Sequence, residues 1–313
     1  MEIISVINYK GGVGKTTVTS NLAAQLAWQG KRVLVIDMDA QASLTFSFIS
    51  PEVWDKEYKQ TKTIKTWFDY IVEGKEPPSL RELIIKPAET NGKVRNKGGC
   101  VDLICSDLGL INVDLDLAVL LGGANMSAVK KNYLKVHGKL RDAIASLRNG
   151  SEYDFVFIDC PPNFNIVTKN AIIASEKILI PAKPDYLSTL GIDYLLGSVK
   201  KLVKEFNEFA SQDDGATKEV KPEHMGVVFT MISITSGQPI AAQRQFMTQT
   251  KSLGVPVFKC YFRDNKTIFA DAPQKLVPVV LNYYSNGTHS EVVTEIERFV
   301  TEFEEKVCEE VKA

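Results

Sequence analysis

The sequence predicts an α/β protein with a doubly wound, mostly parallel sheet and helices on both faces. Two observations carry that expectation. Short apolar runs of strand length alternate with longer stretches at helical spacing along most of the chain. The first run also passes through a glycine-rich loop straight into a helix, the order that brings helix N–H groups to the edge of a parallel sheet. At 313 residues the chain is long enough for one large α/β domain, and residues 1–313 are read as one.

Ile3-Ile-Ser-Val-Ile7 is an apolar, β-rich run of buried-strand length. Thr16 to Gln29 carries Val18, Leu22, Ala23, Leu26 and Ala27 at helical spacing, and Gly30 stands where a helix C-cap is expected. Arg32–Asp37 is the second strand. Further strands are expected at Val101–Cys105, Phe155–Asp159, Lys177–Pro181, Gly226–Thr230 and Val257–Tyr261. Helical spacing marks Lys131–Leu147, Leu187–Phe209, Ile240–Leu253 and Glu291–Glu310, the last giving a C-terminal helix within 290–313. Two polar stretches read as surface loops: Lys86–Gly99, with four basic residues against one acid, and Ser211–Pro222. The chain contains no internal repeat and no low-complexity tract.

Composition narrows the classes. No apolar run approaches the roughly 18 residues of a membrane span, and the N-terminus has no signal-peptide core. Five cysteines, at 100, 105, 160, 260 and 308, form no C-x-x-C pair, and their odd number argues against a disulfide framework. A reduced, cytosolic protein is expected. The net charge of −1 means that any nucleic-acid binding must come from a local patch.

Chemistry concentrates in Lys10-Gly11-Gly12-Val13-Gly14-Lys15-Thr16-Thr17. It fits the phosphate-loop pattern G-x-x-x-x-G-K-[ST], with lysine in place of the first glycine. Glycines let the backbone curl so that successive N–H groups meet phosphate oxygens. Lys15 then reaches the β/γ-phosphates and the Thr16 hydroxyl ligates Mg²⁺. Lys10 is a second cation at the loop's entrance, free to neutralise phosphate charge on a neighbouring molecule. Asp37 and Asp39 end a strand beside this loop, and i, i+2 spacing aims both side chains to one face. Asp159 ends another apolar strand. A nucleoside triphosphate with Mg²⁺ needs carboxylates near the metal and a group to place the attacking water.

Lys10-Gly-Gly-Val-Gly-Lys-Thr-Thr17 resembles the deviant Walker A motif of the ParA/MinD family of ATPases. Arg32–Asp37 with Met-Asp39-Ala-Gln-Ala-Ser resembles that family's second motif, and Asp154-Phe-Val-Phe-Ile-Asp159-Cys-Pro-Pro162 its Walker B strand and switch. Ile180–Gly191 and Val228–Met231 are similar to later segments. The resemblance runs from about residue 1 to about residue 300 and is nearest to the ParA/Soj partition branch. Residues 45–100 fall where members of the family vary most. The resemblance implies ATP and Mg²⁺ as cofactors, with Asp159 bonding Mg²⁺ through water, Asp37 supporting the metal shell and Asp39 orienting the nucleophilic water. It implies an ATP-dependent homodimer in which Lys10 reaches the other subunit's phosphates. Slow intrinsic hydrolysis would be accelerated by a ParB-like or adaptor partner.

Ala182-Lys-Pro-Asp185 lacks the Asn of the guanine-reading N-K-x-D pattern and reads as a structural turn, which favours ATP over GTP. By resemblance, adenine falls near Met231 and Phe262-Arg263-Asp264-Asn265. Three classes of function remain open. A ParA-type partition ATPase binds nonspecific duplex DNA, here through Lys200, Lys201 and Lys204 on one helix and Arg244 and Lys251 on another, with Lys266 and Lys275 following the last strand. It would be cytoplasmic and nucleoid-associated. In place of an arginine that many relatives carry after the sixth strand, this chain has Ile232-Ser-Ile-Thr-Ser236. A MinD-like membrane switch needs a basic amphipathic tail, whereas residues 291–313 carry eight Glu against one Arg and two Lys, so no membrane is expected. The tail's apolar stripe (Val292, Ile296, Phe299, Val300, Phe303, Val307) reads as core. A metabolic or redox relative would need a cluster-binding cysteine pair or a glutaminase Cys/His pair, and neither stands out.

Overall fold

The computed structural model describes residues 1–148, 153–213 and 217–310. In chain order β1 (Glu2–Val6) leads through the glycine loop to α1 (Lys15–Trp28) and β2 (Arg32–Asp37). A run of short helices follows: α2 (Pro51–Val53), α3 (Ile64–Val72), α4 (Leu80–Leu83) and α5 (Ala88–Val94). Next come β3 (Cys100–Ile104), α6 (Leu110–Val119), α7 (Met126–Leu147), β4 (Phe155–Asp159), α8 (Ile166–Ala174), β5 (Lys177–Ala182), α9 (Tyr186–Ala210) and β6 (Glu223–Ile232). A small antiparallel hairpin, β7 (Ile234–Thr235) with β8 (Gln238–Pro239), precedes α10 (Ala241–Lys251), β9 (Val257–Arg263), α11 (Lys266–Asp271) and α12 (Gly287–Glu310).

The seven long strands form one parallel sheet in the order β3-β2-β4-β1-β5-β6-β9, the doubly wound architecture that the alternating pattern predicts. Successive residues of each strand face opposite sides. Leu34, Ile36, Val156 and Ile158 pack with helices α3, α6, α7, α8 and α9, whereas Val33, Val35, Phe155 and Phe157 pack with α1 and α12. Both faces are apolar because both are covered. The stripe of α12 is core, as its spacing suggests: Val292, Ile296, Phe299, Val300 and Phe303 are all buried. Among the described residues no helix is long and apolar enough to cross a membrane.

Helix α1 departs from simple amphipathy. Ser20, Asn21 and Gln25 are buried beside its apolar residues, because the C-terminal segment folds over its outer side. Asn21 fixes that contact by accepting from the Val280 N–H at 3.0 Å. Gly30 does serve at the end of α1, with φ +91 and its N–H bonded to the Ala27 carbonyl.

One reading needs correction. Residues 86–99 are not simply a loop, since they contain α5 and a 3-10 turn over Arg95–Lys97. Their polarity hid the helix, which is held by two buried residues and a side-chain clamp. Val94 enters the core beneath β3, and Thr90 donates to the Leu276 carbonyl at 3.0 Å. Asn91 both donates to and accepts from the Val101 backbone at 2.8 Å, so its amide covers part of an edge strand. Of the other polar stretch, residues 214–216 lie outside the described residues, and the remainder joins α9 to β6.

Candidate functional site

Strands β1 and β4 are neighbours, yet the helices that follow them, α1 and α8, lie on opposite faces of the sheet. Between them a crevice opens at the carboxyl ends of the strands, the usual ligand position in a doubly wound sheet. The glycine loop occupies it. Gly12 and Gly14 take φ values of +66 and +80, a backbone that side chains rarely adopt. Gly14 lies against Thr230, whose hydroxyl donates to the Val13 carbonyl at 2.8 Å and ties the loop to β6. On the other side Asn8 donates to the Pro181 carbonyl at 2.8 Å and accepts from the Lys10 N–H at 2.9 Å.

Lys15 is the first residue of α1, and its ammonium turns back under the loop to the carbonyls of Asn8 (3.3 Å) and Lys10 (3.5 Å). Burial lowers its pKa, against the pull of Asp159 and Asp39. Thr16 Oγ1 donates to Asp159 Oδ2 at 2.7 Å, and Thr19 Oγ1 approaches Asp159 Oδ1 at 3.3 Å. Thr17 lies in the next position of α1.

The parallel register sets Asp37 directly beside Asp159. Asp37 is wholly buried and fully bonded. Thr45 donates both its N–H (2.8 Å) and its hydroxyl (2.7 Å) to one oxygen, and the Asp39 N–H donates to the other at 3.1 Å. Asp39 itself is half-buried and accepts from the Gln41 N–H at 3.0 Å within a turn closed by Ala42, at φ +53. Burial, reinforced by the charge of Asp159, pushes the Asp37 carboxyl up to about 8 despite those hydrogen bonds. Asp159 is pushed up to about 7, mainly by burial, while Thr16 and Lys15 pull the other way. A raised carboxyl pKa contributes stability that is complete below its ordinary 3.8 and is lost as pH rises toward 7–8. Two desolvated carboxylates side by side are a place that a divalent cation relieves. A hydroxyl, an acidic side chain and curled backbone N–H groups are also the donor set that Mg²⁺ with phosphates uses.

Lys10 stands at the rim. Its ammonium donates to both oxygens of Asp185, at 2.9 and 2.8 Å, and to Ser188 Oγ at 3.3 Å. Burial would raise the Asp185 carboxyl, but hydrogen bonds from Lys10 and Ser188 hold it below the usual range. Asp185 also caps α9 by accepting from the Ser188 N–H at 2.8 Å.

On the outer side of the loop, a hollow of about 130 Å³ is lined by Gly14, Thr17, Thr230, Met231 and the run Phe262–Asn265. The sequence reading and the fold therefore bring the same segments together. Their side chains differ in availability. Phe262 is buried against Phe299, and Arg263 is held by Glu291 and Glu295. Met231 sits at φ +54 where β6 and β9 lose register. Lys200, Lys201 and Lys204 are exposed on α9, and Arg244 is exposed on α10 with Lys251 at that helix's last turn. The two helices pack against each other, although Arg244 is bonded to the Pro239 carbonyl (2.7 Å) and Lys204 lies 3.7 Å from Glu208. Sequence reasoning missed Asn8, Thr19, Thr45, Asp185 and Thr230 as parts of the site. Asn8, Asp185 and Thr230 lie at or near strand ends, Thr19 lies inside α1 and Thr45 in a 3-10 turn, and polar residues at such places are too common to single out.

Sheet, crevice and loop define a P-loop nucleoside triphosphatase of the doubly wound class. A family model described as an AAA domain matches residues 1–211. The sporulation initiation inhibitor Soj of Bacillus subtilis is 28% identical over 292 residues, 90% of this chain and 90% of that protein. The chromosome partitioning protein ParA of Caulobacter vibrioides is 26% identical over 231 residues, 74% of this chain and 70% of its own length. McdA of Cyanothece, in its complex with ATP, superimposes with a TM-score of 0.67 at 18% identity, covering 98% of this chain and 96% of that one, a likeness of fold. The chain belongs to the ParA/MinD family of ATPases, on its ParA/Soj branch.

Proposed function

We propose that this protein is a ParA-type partitioning ATPase whose ATP-bound form is a homodimer that binds duplex DNA without sequence preference. The observation that carries the proposal is the meeting of the Thr16–Asp159 pair, Asp37 and Asp39 beside a glycine loop that keeps a second lysine at its rim. In this reading the N–H groups of Gly11, Gly12, Val13 and Gly14, with Lys15 and Thr17, hold the phosphates of ATP. Thr16 and Asp159 hold Mg²⁺, which when bound neutralises phosphate charge, and Asp37 supports the metal shell while holding the segment that bears Asp39 and Thr45. Asp39 orients the attacking water. Met231 and Phe262–Asn265 form the wall for adenine.

Lys10 supplies its charge to the phosphates of the second subunit after leaving Asp185. Hydrolysis removes what holds the subunits together, and a ParB-like or adaptor protein accelerates that step. Two copies of the α9 and α10 cations side by side would bind DNA where one copy would not, since each added phosphate contact releases counterions. The protein then acts in the cytoplasm on the nucleoid. The acidic, core-facing α12 favours this over a membrane switch.

The test is gel filtration and duplex binding with ATP, ADP and no nucleotide, repeated for Lys10→Ala. Dimers and DNA binding are expected with ATP alone, weakening steeply between about 50 and 200 mM salt. A Lys10→Ala protein that dimerises and hydrolyses normally would remove the cross-subunit role. An ATP dimer that ignores DNA at low salt but sediments with anionic liposomes would replace the partition reading with the membrane one.

A further inference from the structure

The opposite edge of the sheet carries a feature that nucleotide chemistry does not use. At the amino ends of β2 and β3 an open hollow of about 450 Å³ is lined by Arg32, Lys86 and Arg95, with the Cys100 thiol in its wall. The three cations come from three segments: the start of β2, the link between α4 and α5, and the turn after α5. All three side chains are exposed, and among the described residues none forms an ion pair.

Asp102 is the acid in the lining of the hollow, and Asp154 lies close to Arg32; both are engaged. Asp102, buried in its floor, accepts from the Tyr153 hydroxyl at 2.7 Å, and Asp154 accepts from the Arg32 backbone N–H at 2.8 Å. Lys93 and Lys97 add charge nearby, the latter lying over the Trp28 ring at 4.5 Å. Three cations outnumber the one acid in the lining, and gathering like charges costs energy unless an anion is shared among them. Two guanidinium forks are suited to the oxygens of a phosphate, with a lysine as point charge. Gly92 and Gly98 leave the rim without side chains, so an extended ligand can approach the backbone.

We propose that this hollow is a second phosphate-binding site, in which Arg32, Lys86 and Arg95 hold a phosphate group, either a phosphodiester of DNA or the phosphate of a small molecule. It is separate from the nucleotide crevice. Asp37, at the far end of β2, lies roughly 17 Å away at about 3.3 Å per residue. The proposal therefore stands whether or not the partition reading does.

Cys100 provides a local readout. Its alkylation by iodoacetamide is followed by peptide mass spectrometry in the full chain saturated with ADP, with inorganic pyrophosphate or a short random-sequence duplex added. Occupancy is expected to slow Cys100 several-fold while leaving exposed Cys308 unchanged. Protection by the duplex alone assigns the site to nucleic acid, and protection by pyrophosphate assigns it to phosphate generally. Either protection should vanish in Arg32→Ala/Lys86→Ala/Arg95→Ala. In Lys86→Gln/Arg95→Gln, which keeps the strand residue, it should weaken. Absence of protection by both probes, or protection that survives removal of all three charges, overturns the proposal.

Discussion

Strand β2 ends in an acid on one side of the sheet and begins with a cation on the other, and the two ends are built differently. At its carboxyl end Asp37 is buried, bonded by Thr45 and Asp39, and pressed against Asp159. At its amino end Arg32 is exposed among Lys86 and Arg95. The first arrangement holds two carboxyl groups out of water in a hydrogen-bonded frame, where burial raises both pKa values. The second offers mobile charge to whatever reaches the surface. Chemistry needs the former and adhesion the latter.

The largest effects should come from breaking the rigid end. If Lys15 faces the phosphates as proposed, Lys15→Ala should cost about 2–5 kcal/mol of binding, so nucleotide affinity should fall at least about 30-fold by equilibrium dialysis. Asp39→Ala should separate from it, retaining ATP affinity within a few-fold while turnover drops by about 10² or more, as loss of a water-positioning carboxylate implies. If Asp39→Ala loses ATP as severely as Lys15→Ala does, then Asp39 belongs to the frame and not to the chemistry.

A smaller effect tests the frame directly. Thr45→Val keeps the N–H bond to Asp37 but removes the hydroxyl that donates to Asp37 and accepts from the Ser106 N–H at 2.9 Å. Leaving buried polar groups short of partners costs about 1–3 kcal/mol, read as a lower urea midpoint in the nucleotide-free protein. An unchanged midpoint would mean that Asp37 finds solvent or another donor, and the contrast between the two ends would narrow.

The same contrast explains what was legible in the sequence. The inner strands could be read because both faces of the sheet are covered, which makes their apolar runs nearly continuous. The edge strands β3 and β9 keep enough apolar residues around Asp102 and Lys259 to be read as well. The glycine loop, Asp37 and Asp159 could be read because they stand at strand ends, whereas Asp39 lies past the end of β2 in a turn that strand alternation does not describe. The helix α5 could not be read, because Thr90, Asn91 and Val94 hold it by contacts with Leu276 and β3 that are remote or irregular in sequence. Nor could the basic hollow, whose three cations lie 32, 86 and 95 residues along the chain and meet only once that helix is in place. Asp185 was read as a turn residue, and it is indeed a helix cap. Its second task, holding Lys10, depends on β5 lying next to β1.

That second task supports the subtlest prediction. The Lys10–Asp185 pair has 34% and 41% of its side-chain surfaces exposed, so it is worth no more than about 1 kcal/mol. Asp185→Asn removes the charge but keeps an amide oxygen able to cap α9 at Ser188, so the helix should stay formed. If Lys10 must leave Asp185 to reach a second subunit, the substitution should strengthen ATP-dependent dimerisation by up to about 5-fold for each of the two pairs released, or about 30-fold for the dimer, measured by sedimentation equilibrium at limiting ATP. ADP affinity should not move if Lys10 acts only on the second subunit's phosphates. Weaker dimers in Asp185→Asn would show the opposite: Asp185 then presents Lys10 in the assembled state, and the pair seen here belongs to the active arrangement. No change in either quantity would make the contact incidental and leave Lys10 without a restraint to overcome.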